Sequence, residues 1–373
     1  MRIGFDAKRA LNNGAGLGNY SRNLINALMR DYSDNDYLLF TPKAKDGFLN
    51  ELQGDFKIVF PETKFQKIAP AVWRSYGVRS QLTKNRVDVF HGLSNEIPFG
   101  LGTTNLKLVV TIHDLLFLKD KQQYPFIDRQ IYTAKTRYAC KHADYIIAIS
   151  AETKRDIVQH YGVDENKIAV IPPPIDEKYQ IAKNKEQRAE TVQKYKLPDK
   201  FILNVGSFYP RKNQKTLVEA FALIKDKTET HLVLVGGAGN TLPEIKALIA
   251  KNNLHERIHI YTGVSNDELP AIYQAASLFV FPALYEGFGM PVVEAMMSGI
   301  PAITTGGGAM QEAGGDAAIY TDTLSAKELA GVMLHALTDE RLRAGLIERG
   351  RLHSQHFTAR AVAAKTMQVY AGL

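Results

Sequence analysis

Cysteine is nearly absent: Cys140 is the only one in 373 residues. A single thiol permits no internal disulfide and no thiolate zinc cluster, which suits a reducing compartment. No apolar run approaches the ~20 residues that a membrane-crossing helix needs. The longest, such as 106–112 and 278–281, have the length of strands. The opening residues Met1 to Asp6 carry an acid at the sixth position and no apolar stretch, so no secretory leader is expected. Compositional bias is also lacking, since 45% hydrophobic and 23% charged residues describe an ordinary globular chain. At about 150 residues per domain, the length predicts two domains, in a protein expected to be cytoplasmic.

Charge is present but uneven. Residues 1–175 hold 24 Lys and Arg against 18 Asp and Glu, which is nearly all of the net +7. Within them, Lys57, Lys64, Lys67, Arg74, Arg79, Lys84 and Arg86 face Glu62 alone and are interleaved with Phe60, Phe65, Trp73 and Tyr76. Such a patch suits an anionic partner. Nucleic acid is not expected, because no helix-turn-helix, zinc-finger or RNA-recognition signature accompanies it; an anionic lipid surface or a phosphorylated acceptor fits better. Phe65, Ile68, Ala69, Val72, Trp73 and Tyr76 recur at helical spacing. They predict a basic amphipathic helix, either lying on a membrane surface or packed on the N-terminal sheet.

Apolar runs of strand length at 2–6, 37–41, 87–90, 106–112, 145–149 and 167–171 alternate with helical patterns, which is βαβ order. Pro172-Pro173-Pro174 interrupts it and predicts a linker. The alternation resumes at 201–205, 231–235, 258–261, 278–281, 302–304 and 317–320, so a second parallel sheet is expected. Ser265 with Glu268 three residues on reads as a capping box, and Pro291 with Gly299 brackets another helix. Helical segments near 325–337, 339–350 and 358–371 complete the chain. The fold class is therefore α/β, with two parallel-sheet domains facing across a cleft where strand carboxyl ends meet ligands.

Three segments carry candidate chemistry. Gly14-Ala15-Gly16-Leu17-Gly18 follows the first strand and precedes a helix, which lets backbone amides approach an anion. A structural glycine turn accounts for it equally. Dinucleotide binding is disfavoured, because the spacing is G-x-G-x-G and no ribose-binding acid follows the second strand. In the second half, Gly206 to Asn213 places Arg211 and Lys212 between a strand and a helix, a favourable position for phosphate, with a solvated surface pair as the alternative. Glu286 and Glu294 flank Gly287, Phe288, Gly289 and Met290 around a helix start. Two carboxylates beside free amides suit a hydroxyl-rich, anionic guest such as a sugar nucleotide. Dipole compensation by Glu294 is the plain alternative and leaves Glu286 unexplained.

These motifs carry a resemblance. The E-x7-E element Glu286 to Glu294, Pro210-Arg211-Lys212-Asn213, Thr111-Ile112-His113-Asp114 and Gly16-Leu17-Gly18-Asn19-Tyr20 together resemble the GT4 family of retaining glycosyltransferases. Residues 150–157 and 283–291 are similar as well, especially to its bacterial O-antigen and capsule mannosyltransferases. The resemblance implies a GT-B fold of two Rossmann-like domains. Residues 1–174 with a returning C-terminal helix, 356–373, would bind the acceptor, and 175–355 the nucleotide sugar.

It further implies Lys212 and Arg211 on the donor diphosphate, Glu294 on the ribose and Glu286 on the transferred sugar. His113 would stand beside the reacting sugar, with Gly16, Leu17 and Gly18 over the phosphates. Ser207, Val264, Gly287, Phe288, Gly289 and Met290 would line the donor site. Ser207 departs from the pattern, since many members carry Arg there. The implied reaction moves a hexose, with mannose from GDP-mannose preferred, to a glycan or lipid-linked glycan, with no cofactor and no metal. Asp34-Asn35-Asp36 is formally a metal-binding D-x-D, but it precedes a strand and reads as a solvated turn. Alternatives on the same fold are a sugar-nucleotide epimerase, a phosphorylase or a non-catalytic binding protein.

Overall fold

The computed structural model describes residues 1–101, 106–120, 123–180, 185–322 and 324–373. It divides into two compact units: Met1–Ile175 with Phe357–Leu373, and Asp176–His356. Unit 1 is built on strands β1 (Arg2–Asp6), β2 (Asp36–Phe40), β3 (Lys57–Val59), β4 (Val89–Gly92), β5 (Lys107–Ile112), β6 (Tyr145–Ala148) and β7 (Ile168–Val170). Unit 2 contains β8 (Phe201–Val205), β9 (His231–Val235), β10 (Ile258–Tyr261), β11 (Leu278–Phe281), β12 (Ala302–Thr305) and β13 (Ala318–Thr321). Every strand pairing is parallel, in the orders β3-β2-β1-β4-β5-β6-β7 and β10-β9-β8-β11-β12-β13.

Parallel sheets need helices on both faces, and the strands are correspondingly apolar in sequence. All four residues of β11 are fully buried, as are Ile3 and Phe5 of β1. The direction of winding reverses between β1 and β4 in unit 1 and between β8 and β11 in unit 2. Carboxyl-end loops diverge at such points and leave a crevice for ligands.

The structure corrects several sequence expectations. Strand β3 is an addition, too short and too basic at Lys57 to stand out from the charged stretch around it. β4 begins at Val89 because Val87 still belongs to the preceding helix end: its N–H donates to Leu82 O at 3.1 Å, and Arg86 turns the chain at φ 49°. Ser265 does not cap a helix. It accepts from the Glu268 amide at 3.3 Å, yet the helix Leu269–Ala275 starts one residue later with Pro270 in its first turn.

The basic amphipathic helix expected over 64–79 is likewise broken. Thr63 and Gln66 form a capping box for the helix Lys64–Ile68, Pro70 interrupts it, and a π-turn over Trp73–Gly77 leads into Val78–Lys84. The π-turn aims Trp73 inward, where its Nε1–H donates to Gln81 Oε1 at 2.8 Å. It also turns Arg74 away from solvent, while Phe65, Ile68, Val72 and Tyr76 remain exposed.

The last helix, Ala359–Ala371, is part of unit 1. Its Tyr370 is buried with the hydroxyl 2.6 Å from His91 Nδ1, while His91 Nε2 lies 2.8 Å from Thr111 Oγ1, which in turn lies 2.9 Å from Tyr20 OH. This chain of polar groups ties the C-terminus to β4, β5 and the helix Gly16–Asp31. Burial holds the His91 imidazole down to about 3, so it stays neutral. Tyr370→Phe leaves a buried ring nitrogen without its partner. It is expected to cost about 1–3 kcal/mol, read as a lower urea midpoint for unit 1; a wild-type midpoint would show that the hydroxyl is dispensable.

Candidate functional site

In unit 2 the loops at the reversal point carry the candidate residues. After β8, Gly206 to Tyr209 leads into a single 3-10 turn, Pro210–Lys212, and Asn213 in the left-handed region at φ 54° redirects the chain into the helix Gln214–Ile224. The Gly206–Phe208 backbone presses against the loop after β9. A Cβ on Gly236 would lie 2.1 Å from Gly206 O, and one on Gly239 would lie 2.0 Å from Phe208 O. Gly236-Gly237-Ala238-Gly239 is thus required to hold the phosphate-loop candidate in shape. The sequence reading passed over it, although the glycine cluster directly after a strand was its signal.

Arg211, Lys212 and Glu286 are brought together. Arg211 Nη1 donates to Glu286 Oε1, and Lys212 Nζ reaches the same oxygen at 2.6 Å. The Lys212 ammonium also sits 4.8 Å from the centre of the Phe281 ring. Lys212 is only 9% exposed. Neither it nor Glu286 is therefore the open, solvent-accessible residue that a surface loop suggests. Burial pushes the Lys212 ammonium pKa below its ordinary value against the pull of Glu286. For Glu286 burial pushes upward, but Lys212 and Arg211 outweigh it and hold the carboxyl below its usual range. Ser207, in the place of an expected arginine, directs its Oγ toward Gly237.

Glycine at 289 is demanded twice, by φ 113° and by Met310 Sδ, 3.0 Å from where a Cβ would stand. It opens the helix Met290–Met297, with Phe288 buried behind it. Gly287 is half-buried in the same loop, Met290 is half-buried at the first position of the helix, and Val264 is half-buried past the end of β10. Glu294 does not serve the helix dipole. It begins the second turn of this helix, where its Oε2 accepts from Tyr273 OH at 2.8 Å, and Tyr179 bonds to the same carboxylate. Burial is the main reason its pKa is raised to about 7. Neither tyrosine stood out in sequence, because each lies in an unremarked segment far from Glu294. Gly306-Gly307-Gly308 after β12 is a further glycine loop missed in sequence, with φ 86° and 53° at its last two positions.

In unit 1, His113 follows β5 and is 7% exposed. Its ring nitrogen Nε2 lies 2.8 Å from Leu93 O, and since a carbonyl only accepts, Nε2 carries the hydrogen and Nδ1 is the acceptor. Burial lowers its pKa to about 4. Tyr20 packs edge-on against the ring at 4.6 Å. Asn95, another residue missed in sequence, accepts from the His113 amide at 2.9 Å and donates to Asp114 O at 3.0 Å, which fixes the strand end. Gly16 opens the helix Gly16–Asp31, with Leu17 half-buried beside it. Gly18 has a purely local reason to be glycine: a Cβ there would fall 1.7 Å from Asn13 O. Asp36 is held by Arg2 at 2.9 Å, at the opposite, amino end of the sheet. Among the described residues no group of three or more His, Cys, Asp or Glu is placed to hold a metal ion.

Comparison with known proteins accords with this geometry. Residues 14–179 match the family described as Glycosyltransferase Family 4, and residues 186–353 match Glycosyl transferases group 1, so the two together take in most of the chain. The chain belongs to the GT4 family of glycosyltransferases. Among curated relatives, this GT4 protein is 29% identical to the serotype-specific mannosyltransferase WbdA of Escherichia coli over 68% of its own length and 32% of that protein's. It therefore spans about a third of that relative. It is 26% identical to the O-antigen chain mannosyltransferase B of Escherichia coli, over 76% and 74% of the two chains.

Of solved structures, the sucrose-phosphate synthase of Thermosynechococcus elongatus superposes with a TM-score of 0.77 at 22% identity, covering 100% and 98% of the two chains. The Anabaena protein HepE, solved with UDP and glucose, superposes at 0.74 with 18% identity over the whole of both chains. The fold of this GT4 protein is GT-B, built from two parallel-sheet Rossmann-like domains.

The Glu294 carboxyl makes stability depend on pH. It titrates near 7 in the folded chain, against about 4.5 for an ordinary glutamate. Between those values the unfolded chain has lost a proton that the folded chain keeps, so stability falls as pH rises through this window and levels off above it. Glu294→Gln is expected to flatten that fall in urea midpoints measured from about pH 5 to about pH 8. An unchanged slope would mean that the acid is not buried as described.

Proposed function

We propose that this GT4 protein transfers a hexose, mannose from GDP-mannose, to a glycan or lipid-linked glycan in surface-polysaccharide synthesis; in support, its relatives include proteins named as O-antigen and serotype-specific mannosyltransferases. The observation that carries this reading is the pair of cations, Arg211 and Lys212, sharing one buried carboxylate at the reversal point of unit 2. A nucleoside diphosphate supplies oxygens for both cations and frees Glu286 to accept a hydroxyl of the sugar. Glu294, with its two tyrosines, accepts from the ribose. In the transfer step the bond from the anomeric carbon to the β-phosphate oxygen breaks, and the acceptor oxygen bonds to that carbon from the same face. The acceptor proton passes to the departing phosphate, and configuration is retained. Charge grows on the phosphate during this step, where fixed cations lower the barrier most. His113, neutral at pH 7, is assigned to a sugar hydroxyl through Nδ1, and Gly16, Leu17 and Gly18 to the phosphates.

Lys212→Ala is expected to lower transfer by roughly 10² to 10³. Because removing one member of a buried ion pair can cost about 3–5 kcal/mol, melting must be followed alongside activity. Transfer that survives this substitution in folded protein would remove the site assignment. GDP-mannose should raise the melting point more than UDP-glucose does. The proposed mechanism needs no metal, so activity is expected to persist in EDTA.

The proposal extends to peripheral contact with an anionic membrane. No helix among the described residues is long and apolar enough to cross one. Unit 1 nevertheless exposes Phe65, Ile68, Val72 and Tyr76, and the helix Phe126–His142 exposes Phe126, Ile127, Ile131 and Tyr132, with Lys64, Lys67 and Arg79 also exposed nearby in sequence. Arg74 is not part of this surface, since it is spent inside. Sedimentation with anionic vesicles should weaken with salt and fall on changing Lys64 and Lys67 to Glu, at about 1 kcal/mol per basic residue. Equal sedimentation with neutral and anionic vesicles would contradict it.

A further inference from the structure

Tyr179 and Tyr273 take no part in the bond changes of the transfer step, yet both are turned to one carboxylate. Tyr273 is 0% exposed and Tyr179 6%. The Tyr273 hydroxyl donates to Glu294 Oε2 at 2.8 Å, and Tyr179 bonds to the same carboxyl group. Packing keeps the rings from swinging. Tyr273 meets Tyr179 edge-on with centroids 5.5 Å apart, and its other neighbour, Phe279, lies at 5.4 Å. The Tyr179 carbonyl accepts from Gln274 Nε2 at 3.5 Å, which ties the 3-10 turn Glu177–Tyr179 to the helix Leu269–Ala275. Lys178 acts on the acid through its charge, with its ammonium placed against Asp176 and Asp267 at 3.3 and 3.6 Å.

A tie between the helices Leu269–Ala275 and Met290–Met297 is the plain explanation. A glutamine would serve that end without the burial that raises Glu294 to about 7. The tie also leaves unexplained why both tyrosines are closed off while Glu294 stays half-buried, with part of its surface open. A carboxylate offers about four lone-pair directions, so two tyrosine donors leave about two for a guest. A glutamate side chain free to rotate must be ordered when it binds, whereas one already fixed by rigid donors is ready for its ligand. The guest that fills two neighbouring acceptor directions is a vicinal diol, such as the 2′- and 3′-hydroxyls of a ribose.

We propose that Tyr179 and Tyr273 are positioning residues that fix Glu294 as an acceptor for two hydroxyls at once and so set a preference for nucleotides with an intact ribose diol. The assignment rests on the ribose role given to Glu294 above, and it adds the two residues that make that role selective.

The test measures Kd by calorimetry for the full chain with GDP and with UDP, each beside its 2′,3′-dideoxy counterpart. The unmodified chain is expected to bind the diol form roughly tenfold or more tightly than the dideoxy form. Tyr273→Phe and Tyr179→Phe are each expected to weaken the diol form severalfold and to leave the dideoxy form unchanged, so that the ratio shrinks. Each substitution removes a single oxygen, and melting curves check the fold; where one variant misfolds, the other decides. Equal weakening of both forms, or a ratio kept by both variants, would overturn the positioning role and leave Glu294 on the ribose. An unmodified chain that binds diol and dideoxy forms equally removes Glu294 from the ribose, and the role of the tyrosines with it. Failure to bind either diphosphate overturns the transfer function as well.

Discussion

Parallel pairing throughout both sheets is the constraint from which the rest follows. It sends every strand's carboxyl end to one edge of its sheet, and it obliges the chain to cross back through a helix before each new strand. Where the winding reverses, two successive edge loops part instead of packing together. In each unit that gap holds ionised side chains at low exposure: Arg211, Lys212 and Glu286 between β8 and β11, and Asp6, Arg74 and Glu96 between β1 and β4. Charges are costly to bury, and hydrogen-bonded ion pairing is what makes them tolerable there.

The two clusters differ in charge, and the difference bears on what each can hold. The unit 2 cluster has two cations on a single carboxylate oxygen and is left with an excess of positive charge. An added anion relieves that excess. In the unit 1 cluster Arg74 and Lys135 are paired with Asp6 and Glu96, and Lys8 stands near enough that burial and the Arg74 charge hold its pKa below the ordinary value. The two clusters are nevertheless built from the same residue types on the same kind of sheet edge.

Legibility in sequence followed the range of the interaction. Strand runs, the Pro291 helix start and the E-x7-E element depend on neighbours within a few residues, and they stand where periodicity and turn chemistry put them. Lys212 and Glu286 were legible as motif members, but their mutual contact was not, because it joins loops that only the sheet order brings together. Arg74 shows the same limit more sharply. Spacing assigned it to an exposed basic helix, and a π-turn after Pro70 rotated it inward to Asp6 and Glu96. Tyr179 and Tyr273 carry no local pattern at all; their meaning comes from a buried acid contributed by a distant helix.

Burial also settles protonation in a way that composition cannot. His113 and Glu294 are both enclosed, and in both the loss of solvent favours the neutral form, which lowers the histidine and raises the acid. Glu286 is enclosed too, yet two cations keep it ionised. Side chains of ordinary chemistry therefore divide at pH 7 into a neutral imidazole, a carboxylate held charged, and an acid near its midpoint. Such a division keeps a fixed negative charge at Glu286, where the fixed positive charges of Arg211 and Lys212 already stand, and leaves the enclosed His113 without charge.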